Sequence, residues 1–193
     1  MTIEVDHIYK AFDGVSILKD ITMQIADGDS IVITGMSGIG KTTFIRILLG
    51  LEKADQGSVR LLGDYKYERV NAGVVFQEDR LCEDFSAIKN VSIVNQKLTD
   101  QRAENELREL LPEECLNKPV HMLSGGMRRR VSIVRACIVP SDILVMDEPF
   151  TGLDAETRDQ AIAFIRARQG NKPLVITTHD TEGLSFCREI HFG

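Results

Sequence analysis

The sequence predicts an α/β fold in which a mainly parallel sheet carries an N-terminal antiparallel β layer and an inserted α-helical subdomain. Three observations predict it. The N-terminal stretch holds period-two runs divided by Asp-Gly turn dipeptides, short apolar strands alternate with helical patterns toward the C-terminus, and helical periodicity fills the middle.

In chain order, Thr2 to Tyr9 and Ile17 to Ile25 alternate as half-buried strands, and Asp13-Gly14 and Asp27-Gly28 turn the chain after each. Ser30 to Thr34 is a β-branched run that meets a glycine-rich loop, and Thr42 to Leu49 reads as a buried helix ending at Gly50. Ser58 to Leu62 and Ala72 to Phe76 supply two more strands. Leu98 to Leu111 puts Ala103, Leu107, Leu110 and Leu111 on one helical face before Pro112 stops it. Met127 to Ile138 is a helix ended by Pro140, followed by a strand at Ile143 to Met146, a helix near Ala155 to Arg168 and a strand at Leu174 to Thr178. No repeat or linker divides the chain. Residues 1–77 and 128–193 are therefore expected to form the core and its β layer, and 78–127 a helical insertion, within a single domain 1–193.

With 193 residues and 43% hydrophobic composition the chain suits one core. Its 29 acidic against 23 basic residues give a net charge of -6, which argues against a protein that coats nucleic acid. Cys82, Cys115, Cys137 and Cys187 are too widely spaced for a metal cluster and read as reduced packing residues. Glu4 and Asp6 interrupt the N-terminus, so no secretory signal is expected, and the apolar runs fall short of the ~20 residues that span a bilayer. A cytoplasmic protein is expected, with any membrane role borrowed from a partner.

Gly35-Met36-Ser37-Gly38-Ile39-Gly40-Lys41-Thr42 fits GxxxxGK[ST] between a predicted strand and a predicted helix, the context that a phosphate-binding loop requires. Glycines let backbone N–H groups turn inward around phosphate oxygens, the helix N-terminus adds positive potential, Lys41 reaches the β- and γ-phosphates, and Thr42 can ligate Mg²⁺. Gly35, Ser37, Gly38, Ile39, Gly40, Lys41, Thr42 and Thr43 are the expected phosphate contacts, which makes the core that of a P-loop NTPase with Mg-nucleotide as ligand. The run Ile143-Leu144-Val145-Met146 then delivers Asp147 and Glu148 at a strand's C-terminal end, where open α/β sheets bind ligands. Asp147 is placed to hold Mg²⁺, while Glu148 can orient and deprotonate the water that attacks the γ-phosphate. Both Asn-Lys pairs, Asn117-Lys118 and Asn171-Lys172, are followed by proline and do not complete the GTPase NKxD pattern.

Leu123-Ser124-Gly125-Gly126-Met127 closely resembles the LSGGQ signature of ABC ATPases, the ATP-binding subunits of ABC transporters. The resemblance covers the chain: Gln77 looks like the Q-loop glutamine, Thr151-Gly152-Leu153-Asp154 like the D-loop, His179 like the switch histidine and Phe12 like the adenine-stacking aromatic. It implies a head-to-tail dimer, expected to be a homodimer, in which Ser124, Gly125 and Gly126 of one subunit close on the Mg-ATP held by the partner's P-loop. It implies that Gln77 touches both Mg²⁺ and the reacting phosphate, that Asp154 takes part in binding the nucleotide, and that Lys41, Gln77, Glu148 and His179 form the catalytic set. A membrane permease docked near Gln77 and the helical insertion would then place the subunit on the inner face of the membrane, with a solute-binding protein added where the machine imports. The stretch Phe76-Gln77-Glu78-Asp79-Arg80-Leu81 is similar to short importers of the nitrate, sulfonate and taurine type. A rival within the same family is a mechanical ATPase of cell division or lipoprotein release.

Two departures stand out: Met127 replaces the signature glutamine, and Thr151-Gly152 the commoner Ser-Ala. Neither removes a catalytic group. The short stretch after His179 also leads us to expect no C-terminal regulatory domain. Arg128-Arg129-Arg130 reads as a solvated, salt-bridged face, and His7, His121 and His191 as surface or packing residues. Tyr9 competes with Phe12 for the adenine, and Phe12 could itself be a core aromatic.

Overall fold

The alternation of Ile3, Val5 and Ile8, all fully buried, breaks period two between Val5 and Ile8, and the backbone shows how. In the computed structural model, which describes residues 1–63 and 69–193, strand β1 (Thr2–Phe12) pairs antiparallel with β2 (Val15–Ala26), and the register shifts between Val5 and Ile8. His7 sits there at φ 49°, and Asp20 of β2, at φ 54°, sits at the next shift, between Ile8 and Lys10. An extra bulged residue returns Ile8 to the core face that strict alternation would have turned outward. Asp13 and Gly14, at φ 49° and 79°, close the hairpin in the doubly positive geometry that such turns favour. Strand β4 (Gln56–Leu62) pairs on the other side of β1, giving the order β2-β1-β4.

The chain divides into two compact units, the first holding 1–72, 141–147 and 171–193. Beside the antiparallel layer, this unit carries parallel strands β3 (Ser30–Thr34), β6 (Ile143–Asp147), β7 (Leu174–Thr177) and β8 (Arg188–His191), in the order β6-β7-β3-β8. All residues of β6 and β7 are buried, as parallel strands covered on both faces must be. Helix α1 (Lys41–Leu48) buries Phe44, Ile45, Ile47 and Leu48, and the Phe44 ring meets Phe192 edge-on with centroids 5.5 Å apart. These side chains join Ile3, Val5, Ile31, Ile33 and Val145 in one core.

The second unit holds 73–140 and 148–170. It follows β5 (Ala72–Val75) with helices α2 (Ala87–Ser92), α3 (Asp100–Arg108), α4 (Gly125–Ile138) and α5 (Ala155–Gln169), and two short 3₁₀ turns lie between α3 and α4. Within it α4 packs with α2 and α3 and also with α5. Arg168 of α5 donates to Glu106 of α3 from Nε at 3.0 Å and Nη2 at 2.8 Å, and also binds Glu109. All four helices of this unit start on side-chain caps, Ser86 for α2, Thr99 for α3, Ser124 for α4 and Asp154 for α5.

Several sequence expectations are corrected. Helix α3 is shorter than Leu98–Leu111, since the Thr99 cap fixes its start and the chain leaves the helix before Pro112, whose ring disfavours helical backbone in the preceding residue. Helix α4 starts two residues before Met127, at the Ser124 cap. Helix α2 and strand β8 were not expected. Cys82 is exposed and not a packing residue, whereas Cys115 and Cys137 are buried, and none of the four forms a disulfide. Among the described residues no helix is long and apolar enough to cross a membrane.

Candidate functional site

The loop after β3 takes its shape from glycines. Gly35, Gly38 and Gly40 have φ of 142°, 80° and 112°, values that side-chain-bearing residues rarely adopt. A Cβ on Gly35 would lie 2.5 Å from the Phe192 carbonyl oxygen, and one on Gly40 would lie 2.7 Å from Leu18 Cδ2, so the loop is pressed against β2 and the chain's last residues. A Cβ on Gly38 would meet nothing within 4 Å, so that glycine faces open space.

Gly40 caps α1 without a side chain, and the N–H groups of the first helical turn, Lys41 to Thr43, have no acceptor inside the helix. Aimed toward the loop, such groups form an anion site. Lys41 is buried, with Nζ donating to Gly35 O at 2.7 Å and Met36 O at 3.2 Å, so its ammonium is folded over the loop. Ser37 and Thr42 are exposed, and Ile39 and Thr43 half-buried. A glycine loop, a helix N-terminus and a cation held above it fit a nucleotide polyphosphate.

Strand register sets the rest of this half of the site. Asp147 of β6 pairs with Thr177 of β7, which pairs with Ile33 of β3, so the three stand in one row at the C-terminal ends of adjacent parallel strands, with Ile33 two residues before the loop begins at Gly35. Asp147 is 2% exposed, and its Oδ1 accepts from Thr177 Oγ1 at 2.5 Å. Beyond β7, Thr178 Oγ1 accepts from Asp180 N at 3.2 Å and fixes the turn that leaves His179 exposed. A buried carboxylate with a threonine hydroxyl at the start of α1 is a hard-oxygen donor set of the kind that suits Mg²⁺. Among the described residues there is no cluster of three or more His, Cys, Asp or Glu that would hold a metal without a nucleotide's oxygens.

Phe12 stands at the hairpin end of β1, 44% exposed, with Lys10 Nζ 4.9 Å from its ring centroid. Lys10 is held in turn by Glu52 at 3.0 Å and Asp55 at 3.2 Å, and Asp55 also accepts from Ala11 N at 2.7 Å. Tyr9 is half-buried within the strand, where its carbonyl accepts from Asp55 N at 2.9 Å. Phe12 is the more open ring.

The second unit carries the remaining candidates. Glu148 has a φ of 49°, uncommon for a side-chain-bearing residue, and it opens a pair of tight turns in which Thr151 N donates to Glu148 O and Leu153 N to Phe150 O. Backbone held in such a region is maintained only by its surroundings and concentrates at functional sites. The turns end at Asp154, whose carboxylate caps α5 by accepting from Thr157 N at 2.8 Å and Oγ1 at 2.6 Å, bonds that lower its pKa.

Ser124 caps α4 through Met127 N at 3.3 Å. Ser124 and Gly125 are exposed, and a Cβ on Gly126 would come within 3.2 Å of Gly152 O. The signature turn therefore rests directly on the turn that leads to Asp154. Gln77 is exposed, while its carbonyl accepts from Arg129 Nη2 at 2.6 Å and the Phe76 carbonyl accepts from Arg129 Nη1 at 2.7 Å.

Within the first unit, the structure thus gathers the glycine loop, Asp147 and the turn bearing His179. Within the second it gathers Gln77, the Ser124–Gly126 turn and Asp154 around α4. Two residues of consequence escaped the sequence reading. Thr177 carries a faint signal, a polar residue closing an otherwise apolar strand. Arg129 was read as part of a solvated face, yet it is 7% exposed, because its guanidinium is spent on backbone carbonyls and Asp79.

Loop, row and helix terminus define a P-loop nucleotide-binding protein. The family model for ABC transporters matches residues 18–151. Taurine import ATP-binding protein TauB of Pseudomonas aeruginosa is 36% identical over 180 residues, an overlap of 89% of this chain and 68% of that protein. Nod factor export ATP-binding protein I of Cupriavidus pinatubonensis is 34% identical over 93% of this chain and 59% of its own length. A solved ATP-binding cassette, described as a dimeric post-hydrolysis state bound to ADP and Pi, superposes with a TM-score of 0.85 at 27% identity, covering 98% of this chain and 94% of that one. The chain belongs to the ABC transporter family, among its ATP-binding subunits.

Proposed function

We propose that the chain binds Mg-ATP on the 35–43 loop, pairs head-to-tail with a second copy around two nucleotides, and hydrolyses them to drive a membrane permease. The buried Lys41 ammonium folded over a glycine loop is the observation that carries this reading. Phe12, backed by Lys10, offers a ring face for adenine, and Lys41 with the N–H groups of α1 takes the phosphates. Thr42, Asp147 and Gln77 would hold Mg²⁺, which, when bound, neutralises charge on the β- and γ-phosphates. Glu148 orients and deprotonates the attacking water, and Gln77 and His179 report on the γ-phosphate from the same chain. Ser124, Gly125 and Gly126 present a capped helix N-terminus to the nucleotide of the other subunit, with Asp154 beside it at the interface. Mutual closure over two ATP molecules and release after hydrolysis then shift the permease between its states.

The names of the relatives are those of transport ATPases, which favours transport over a mechanical role in cell division or lipoprotein release. Import is the favoured direction, on the taurine-import likeness and the 76–81 stretch, and it brings a solute-binding protein as a further partner. The subunit would sit on the inner face of the membrane through its permease. Size-exclusion chromatography with light scattering tests the reading on Glu148→Gln. A monomer that becomes a dimer only with Mg-ATP supports it, and a chain that binds no ATP overturns it.

A further inference from the structure

Helix α4 offers one face to the backbone that follows β5. Arg129, Ser132 and Arg135, spaced three apart, lie along that face. Arg129 donates to Phe76 O at 2.7 Å and Gln77 O at 2.6 Å and stands 3.3 Å from Asp79 Oδ1. Ser132 Oγ donates to Asp79 O at 3.0 Å, and Arg135 donates to Asp79 O at 2.9 Å and Arg80 O at 2.8 Å. The run from 76 to 80 is fastened to a helix whose opposite job is to present Ser124 and Gly126. Arg129 stands little more than one turn from that end, and a planar guanidinium bonding two successive carbonyls fixes orientation as well as distance. A lysine at that position cannot, since its ammonium is a single point donor on a flexible stem.

Resting on the dimeric reading above, we infer that Arg129 is a positioning residue that joins Gln77 to the signature turn, so that ATP held by one subunit sets the turn this subunit offers to its partner's ATP. In the head-to-tail arrangement Gln77 and Ser124 of one chain serve different nucleotides. A rigid link between them makes the two sites cooperative, because closing one pre-orders the other.

The test is steady-state ATPase against ATP concentration for the full chain, Arg129→Gln and Arg129→Lys, with thermal melts of each. The wild-type chain is expected to give a Hill coefficient approaching the two-site limit of about 2, and both variants about 1, with half-saturating ATP raised. Variants that lose rate or melting temperature but keep the wild-type Hill coefficient would show a purely structural arginine and overturn the inference. A wild-type chain that hydrolyses ATP with a coefficient of 1 would overturn it too, while leaving the proposed function standing. A wild-type chain with no hydrolysis would instead sink the function. Should Arg129→Gln not fold, Arg129→Lys alone decides, since it keeps the charge beside Asp79 but not the double carbonyl bond.

Discussion

Thr177 Oγ1 donates to Asp147 Oδ1 at 2.5 Å between two side chains that are 0% and 2% exposed, on paired residues of β6 and β7. A buried carboxylate deprived of a hydrogen bond costs about 1–3 kcal/mol. Thr177→Val, close to isosteric, should therefore lose stability of that order in urea unfolding, and Thr177→Ser, which keeps the hydroxyl, should lose less. If Asp147 holds Mg²⁺, the valine variant will also need more Mg²⁺ for half-maximal ATPase. Equal stability of valine and wild type would remove Thr177 from any such role.

Glu148 separates binding from chemistry. Glu148→Gln keeps the side-chain size and the backbone at φ 49° but removes the base. Turnover should fall on the order of 10²-fold or more, the usual worth of a positioned base, while ATP affinity and ATP-dependent dimerisation persist. Unchanged turnover would transfer the role of base to another group.

What could be read in the sequence follows from which forces leave a local trace. Strand β3 was legible at its observed bounds because Ile31, Val32 and Ile33 are β-branched, buried and followed by Gly35. The phosphate loop and the Asp147-Glu148 pair were legible because each is fixed by its own few residues. Strand β8 was not, since Arg188, Glu189 and His191 stand on an edge strand whose pairing with β3 is made through the backbone. Helix α2, six residues from the Ser86 cap, is too short to show a period. Three consecutive arginines likewise give no sign of which one turns inward. Arg129 is chosen by the carbonyls of Phe76 and Gln77, more than 50 positions away.

The loop glycines differ in kind. Gly38→Ala adds a side chain in open space, so its cost is backbone strain alone, about 1–2 kcal/mol. Gly35→Ala adds strain at φ 142° and sets a Cβ 2.5 Å from a backbone oxygen that no rotamer change can move aside. Chemical denaturation should rank wild type above Gly38→Ala and Gly38→Ala above Gly35→Ala. The reverse order of the two variants would mean that the loop is not pressed against Phe192 in solution.

Asp55 links the end of β1 to the start of β4 and steadies the lysine behind Phe12. Its carboxylate accepts first from Ala11 N and then from Lys10, and both bonds favour the charged form, so its folded pKa lies below the ordinary carboxylate value. A depressed folded pKa stabilises the native state at every pH above the unfolded value, about 4, and that contribution drains away as pH falls through the folded pKa. Lys10 has the opposite sign: its pKa is raised, first by Glu52 and then by Asp55, so its contribution is full at neutral pH and is lost only in strong alkali. Asp55→Asn should therefore melt below wild type at neutral pH, with the gap narrowing below about pH 4 as the wild-type carboxylate protonates. Thermal melts of both proteins from pH 7 to about pH 3 read this directly. A gap that stays constant across the range would mean that the shape of the Asp55 side chain, and not its charge, holds the end of β1 and the Phe12 ring in place.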